Sequence, residues 1–236
     1  MLSEHTSKQY DAELESIRAK VLEMGGLVEQ QIVNALEALT RLDPHLAKEV
    51  MLTDTQVNQL EVQVDEECSR IIARRQPAAS DLRMVMTIVK TITDLERIGD
   101  EATKIARTAQ KIFEEDRMYK PRFNEIKTMV SLVSDMLRTA LDSFARLDVS
   151  RTVDVARQDE LVDEHFRAAT RQLITYMLED PRTITMSLEV LFVAKAVERI
   201  GDHAKNIAEY VVYMVKGIDV RHVSMQEMER ETLGNH

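Results

Sequence analysis

Apolar residues recur along this chain at alternating steps of three and four, over stretches far too long for strands. Leu14, Ile17, Val21, Met24, Val28, Ala35, Ala38 and Leu42 keep that spacing and predict a helix from about Gln9 to Thr40. Gly25-Gly26 interrupts it with a place where a kink is allowed. Asp43 reads as an N-cap with Pro44 in the first turn behind it. A second helix, Pro44 to Arg75, has its seam at Val50, Thr53, Val57, Leu60, Val64 and Ile71. After Pro77, Ser80 or a neighbour caps a third helix of about Asp81 to Phe113. Its seam is Val85, Ile88, Ile92, Leu95, Gly99, Ala102, Ala106 and Phe113.

Past a polar link at 114–120 the plan starts again. A fourth helix is predicted from Pro121 to Arg146, a fifth to about Leu178, and a sixth from Asp180-Pro181 to Lys216, with Gly217 ending it. Arg146-Leu147-Asp148 repeats Arg41-Leu42-Asp43 (146 − 41 = 105), and Val197-Glu198-Arg199-Ile200-Gly201-Asp202 repeats Leu95-Glu96-Arg97-Ile98-Gly99-Asp100 (198 − 96 = 102). The offset slips by three residues, which the turns at Pro77 and Pro181 can absorb. The expected fold is all-α, two tandem three-helix bundles related by internal duplication. Residues 1–115 form the first, 120–217 the second, and 218–236 a polar tail expected to fray in part. Helices of about 30 residues would be about 45 Å long.

The repeated hexapeptide carries two local costs. Glycine inside a helix is roughly 1 kcal/mol worse than alanine, and acids at i and i+4 repel by a few tenths. Their recurrence at matching places points to close helix packing at the glycines and a shared cation at the carboxylates. With Ile92 and Gly99 at heptad position a, Glu96 falls at e and Asp100 at b, and Glu198 and Asp202 follow suit. On the second helix Asp54 and Glu61 fall at e, Asn58 and Asp65 at b; on the fifth, Asp159 is e and Asp163 is b. Four helices thus carry acids or amides along one border of the apolar seam. A solvated face is the ordinary reading of any single acidic pair, but not of four in register.

Oxygen donors without His or Cys suit a hard cation: Mg²⁺, Mn²⁺ or iron, with Zn²⁺ also open. The Glu-x-x-His signature of di-iron bundles is missing. His203 lies about 100° round the helix from Asp202, which disfavours it as a ligand. Arg97 and Arg199 could instead pair with the acids internally.

Composition narrows the function. A net charge of −10 argues against nucleic acid as the partner. No run approaches a membrane span, and residues 1–10 are too polar for a signal peptide, so a cytoplasmic protein without direct membrane insertion is expected. Cys68 is the one cysteine, which fits a reducing compartment and a buried small residue. Arg70, Arg74, Arg75 and Arg83 flank the Pro77 turn, as a docking patch or a solvated helix end. The methionines read as core filler.

These residues resemble the PhoU family over nearly the whole chain. The likeness rests on the two hexapeptides with His203 and Asn206-Ile207, on Gln76-Pro77-Ala78-Ala79-Ser80-Asp81-Leu82-Arg83, on Asn58-Gln59-Leu60-Glu61 and on Lys216-Gly217. The resemblance implies metal clusters held by an acidic E(D)-x-x-x-D motif on paired helices. Carried over, the first set is Asp54, Asn58, Glu61, Asp65, Glu96 and Asp100, and the second is Asp159, Asp163, Glu198 and Asp202. Asn58 departs from the motif where the second half has Asp163.

The resemblance also implies a non-enzymatic regulator that represses the phosphate-starvation response. Such a protein would couple the transporter ATPase (PstB) to the sensor histidine kinase (PhoR), restrain phosphate uptake and form a homodimer. A metal-dependent hydrolase at the carboxylate grooves is the alternative, against which stand the missing phosphate-cradling loop and nucleophile elbow.

Overall fold

The computed structural model describes residues 8–114 and 123–234, all of whose regular structure is helical. The elements are α1 (Lys8–Arg41), α2 (Pro44–Arg75), α3 (Ala79–Glu114), α4 (Asn124–Arg146), α5 (Thr152–Glu179), α6 (Ile184–Lys216) and α7 (Met225–Leu233), with one 3₁₀ turn at Pro181–Thr183. Helices α1–α3 make one bundle and α4–α6 the other. Pro121, expected at the head of α4, lies outside the described residues.

Local chemistry explains most boundaries. Asp43 accepts hydrogen bonds from the backbone N–H groups of His45 and Leu46, with Pro44 at the first helical position. Gly217, at φ 76°, ends α6 in the left-handed region. The repeated Arg-Leu-Asp is a pair of matching reversals. Leu42 and Leu147 both take positive φ, and the N–H groups of Asp43 and Asp148 reach back to the carbonyls of Ala38 and Ser143. That conformation costs a leucine roughly 1–2 kcal/mol, offset by packing both side chains on the core. The three-residue slip falls at the expected turns. Residues 76–78 separate α2 from α3, whereas Asp180 alone precedes the 3₁₀ turn that leads into α6.

Four expectations change. α3 starts at Ala79, in left-handed conformation, rather than behind a Ser80 cap. Gly25-Gly26 makes no break; α1 runs through it, and a Cβ on Gly25 would meet the Leu141 side chain of α4 at 2.7 Å. Phe113, placed on the seam of the third helix, is exposed, while Ile112 faces inward. The tail does not simply fray: α7 is capped by Ser224 and buries Met228 in a small cluster with Ala156, Val212 and Val220.

The two bundles share one apolar core, to which every helix from α1 to α6 contributes. The most extensive interhelical contact runs between α3 and α6. They lie antiparallel: Arg83 stands against Gly217, Lys90 over the rings of Tyr210 and Tyr213, Glu101 beside Arg199, and Lys111 beside Glu189. At the centre the buried Asp94 lies 2.6 Å from His203 Nδ1 and accepts from Asn206 Nδ2 at 3.3 Å. No described helix is long and apolar enough to cross a membrane.

Candidate metal grooves

Where α3 packs against α1 and α2, Gly99 leaves out a side chain that would crowd both. A Cβ there would sit 2.9 Å from Gln31 Oε1 and 3.3 Å from Asp54 Oδ1. Its counterpart Gly201 is less crowded: a Cβ there would lie 3.3 Å from Val133 Cγ1 of α4 and 3.6 Å, an ordinary contact, from Asp159 Oδ1 of α5. Each repeated glycine therefore seats the leading acid of the facing helix against the α3 or α6 backbone.

Around Gly99 the acids crowd. Glu96 is held above the usual carboxylate range by its burial and then by Asp100, Glu61 and Asp54, with Arg97 opposing. Glu61 is raised by burial and then by Asp65; a Thr93 hydrogen bond and Arg97 oppose, and Asp100 adds to the rise. Asp65 and Asp100 stand at the exposed lip, and Asn58, half-buried, has an Oδ1 without a hydrogen-bond partner. Asp54, Glu61, Asp65, Glu96 and Asp100 thus act on one another where α2 faces α3.

Around Gly201, Asp202 is pushed up to about 6 by loss of water, then by Glu198 and Asp159, with Asp163 adding and Lys195 opposing. Asp159 is 8% exposed and accepts a hydrogen bond from Lys205 Nζ at 2.9 Å. Lys195 Nζ lies 2.6 Å from both oxygens of Glu198 and 5.5 Å from the ring centre of Phe166. Burial works against charge on Lys205, yet Asp159, Glu209 and Asp202 raise its pKa. His203 turns away to Asp94, and Arg199 pairs with Glu101 rather than with the motif acids.

As the side chains stand, no three carboxylate, imidazole or thiol groups among the described residues converge on one point that could hold a metal ion. The chemistry of the donors nonetheless fits a hard cation. Both grooves present oxygen ligands on a glycine-made cradle, and the first adds two amide oxygens that lack donors.

Three groups at these grooves are not motif residues. Gln31 comes from α1, where it interrupts the apolar seam between Val28 and Ala35; a polar residue at a core step was the available signal. Lys195 and Lys205 stand three residues before Glu198 and three after Asp202, a spacing that faces them to those acids. Elsewhere, Cys68 is fully buried, which pushes its thiol up to about 12. Of the arginines at the Pro77 turn, Arg75 makes a paired contact with Glu13, and Arg70 donates to the Glu66 carbonyl at 3.4 Å while lying 3.9 Å from the Glu66 carboxylate.

Duplicated three-helix bundles, each bordered by an acidic groove at a packed glycine, define an all-α class of two-repeat groove proteins. Comparison with known proteins narrows this. The model of the PhoU domain matches residues 21–109 and again 126–211, one match per bundle. The chain is 50% identical over 234 residues to the phosphate-specific transport system accessory protein PhoU homolog of Pseudomonas putida, covering 99% of this chain and 91% of that one. It is 48% identical over 233 residues to the accessory protein PhoU of Escherichia coli K12, covering 99% and 96%. The crystal structure of PhoU from Pseudomonas aeruginosa superimposes with a TM-score of 0.85 at 50% identity, covering 89% of this chain and all of that one. The phosphate transport system regulatory protein PhoU of Streptococcus pneumoniae gives 0.81 at 28% identity, covering 89% and 99%. The chain belongs to the PhoU family.

Proposed function

We propose that this chain is a non-enzymatic accessory protein of a phosphate-specific transport system, acting as a negative regulator of the phosphate-starvation response. The observation that carries the reading is near-full-length identity of about half to relatives named as phosphate-specific transport system accessory proteins. In this reading helical faces engage the transporter ATPase (PstB) and the sensor histidine kinase (PhoR) on the cytoplasmic side. The kinase is held in its off state and uptake is restrained while phosphate is plentiful. The working unit is a homodimer.

The grooves serve this role as metal sites. Asp54, Asn58, Glu61, Asp65, Glu96 and Asp100 would hold one cation or cluster, and Asp159, Asp163, Glu198 and Asp202 another. A bound divalent or trivalent ion would supply positive charge to acids that otherwise repel. The chain's own part is to bring the donors together and keep them facing: Gly99 and Gly201 let the helices approach, and the buried contacts of Asp94 and Glu101 brace α3 against α6.

The test is a strain lacking this chain and carrying a reporter of phosphate-starvation genes. In high phosphate the reporter is expected to be constitutively on and to be silenced again by the wild-type chain. Reporter output that stays off in the deletion strain contradicts the assignment.

A further inference from the structure

The grooves are copies in plan but not in charge. Thr93 of the first half corresponds to Lys195 of the second, and Thr103 to Lys205 (195 − 93 = 102, 205 − 103 = 102). Gln31 corresponds to Met136 (136 − 31 = 105). The flanking Arg97 and Arg199 are counterparts of each other and so do not distinguish the halves.

We propose that the two grooves are unequal cation sites, a reading that rests on the metal-binding role given above. The first takes a divalent cation tightly and uses the Gln31 amide oxygen as a donor. The second carries its own cations in Lys195 and Lys205.

Gln31 is 1% exposed and fixed by its Nε2, which donates to the Val50 carbonyl at 3.2 Å and lies 3.4 Å from Asp54 Oδ1. Its Oε1 has no hydrogen-bond partner and points at Gly99, where even a methyl group would crowd it. A buried acceptor left without a donor is costly, and beside acids it is fitted to a cation. The second half offers no such oxygen at Met136. It has instead an ammonium 2.6 Å from both oxygens of Glu198 and another 2.9 Å from Asp159. A metal entering there must displace those lysines or bind beside like charge.

The experiment titrates Mn²⁺, a probe of hard oxygen sites, into the full chain after chelator treatment, with free Mn²⁺ read by electron paramagnetic resonance. Wild type is expected to show one tight class of site and one weaker by about tenfold or more. Thr93→Lys, placing an ammonium by Glu96 as Lys195 stands by Glu198, should weaken the tight class about tenfold and leave the other unchanged. Lys195→Thr should tighten the weak class by a similar factor. Both positions lie on the partly exposed groove wall, so the core is undisturbed. Gln31→Met, which copies the second half, should also weaken the tight class; wild-type affinity in that variant removes Gln31 from the donor set. Equal affinity at both grooves, or a tight class indifferent to Thr93→Lys, overturns the inequality and leaves metal binding standing. No Mn²⁺ bound by wild type or by Lys195→Thr overturns both.

Discussion

Glu209 on α6 is a carboxylic acid only 8% exposed, held near Lys205 and Arg221. Burial pushes it up to about 7; Lys205 and Arg221 pull the other way, and Asp159 and Asp219 add a little. A carboxyl raised above its unfolded value keeps its proton longer in the native state. Its contribution to stability is therefore full below about pH 4.5 and is lost as pH climbs through about 7. Asp202, raised to about 6, acts with the same sign. Glu209→Gln has the shape without the ionisation. Chelator-treated wild type should thus lose stability relative to this variant between about pH 5 and about pH 8, seen as urea midpoints that diverge with rising pH. Midpoints that stay parallel across that range would show that Glu209 ionises normally. Nothing in the local pattern marks this residue, because its burial depends on Lys90 of α3 and on Asp219 and Arg221 of the tail lying beside it.

At the scale of helices, the two repeated glycines are the same device used with different tolerance. An alanine methyl at Gly99 would press Gln31 Oε1 at 2.9 Å and Asp54 Oδ1 at 3.3 Å, and Gln31 is pinned by its own hydrogen bond. At Gly201 the nearest atom is Val133 Cγ1 at 3.3 Å, with Met136 Cε, a flexible end, at 3.7 Å. Alanine also gains about 1 kcal/mol of helix propensity at either site. Gly99→Ala should therefore be the less stable of the two by about 1–2 kcal/mol, or roughly 2–8 °C in thermal midpoint for a chain of this size. Equal midpoints would mean that Gln31 moves aside freely.

Much of this level could be read in advance. Asp43-Pro44 and Gly217 mark their helix ends by chemistry confined to a few neighbouring residues, and both hold; Asp180-Pro181 instead opens the 3₁₀ turn ahead of α6, which starts at Ile184. What could not be read depends on contacts between distant segments. α7 is polar along most of its length and is helical because Met228 finds Ala156, Val212 and Val220. The Gly25 approach needs Leu141, some hundred residues away, to show its purpose. Gln31 and the two lysines lie outside the acidic motif, so motif reading passes over them, although aligning the halves exposes all three as mismatches.

For the molecule as a whole, α3 and α6 are both the wall of a groove and the shared interface between bundles. Each presents its Glu-x-x-x-Asp pair to a partner helix of its own bundle, Glu96 and Asp100 to α2, Glu198 and Asp202 to α5. On the other face, Asp94 meets His203 and Glu101 meets Arg199 across the bundles. In the proposed role, charge bound in a groove would act on the same two helices that join the halves. The central claim is that acids gathered by packed glycines share a bound cation. Elemental analysis of the full chain, supplied with Mn²⁺ and then freed of loosely held ions, tests it most directly. The wild type is predicted to keep Mn²⁺, and a folded Glu96→Gln, Asp100→Asn, Glu198→Gln, Asp202→Asn variant to keep almost none; equal metal content in the two would contradict the account.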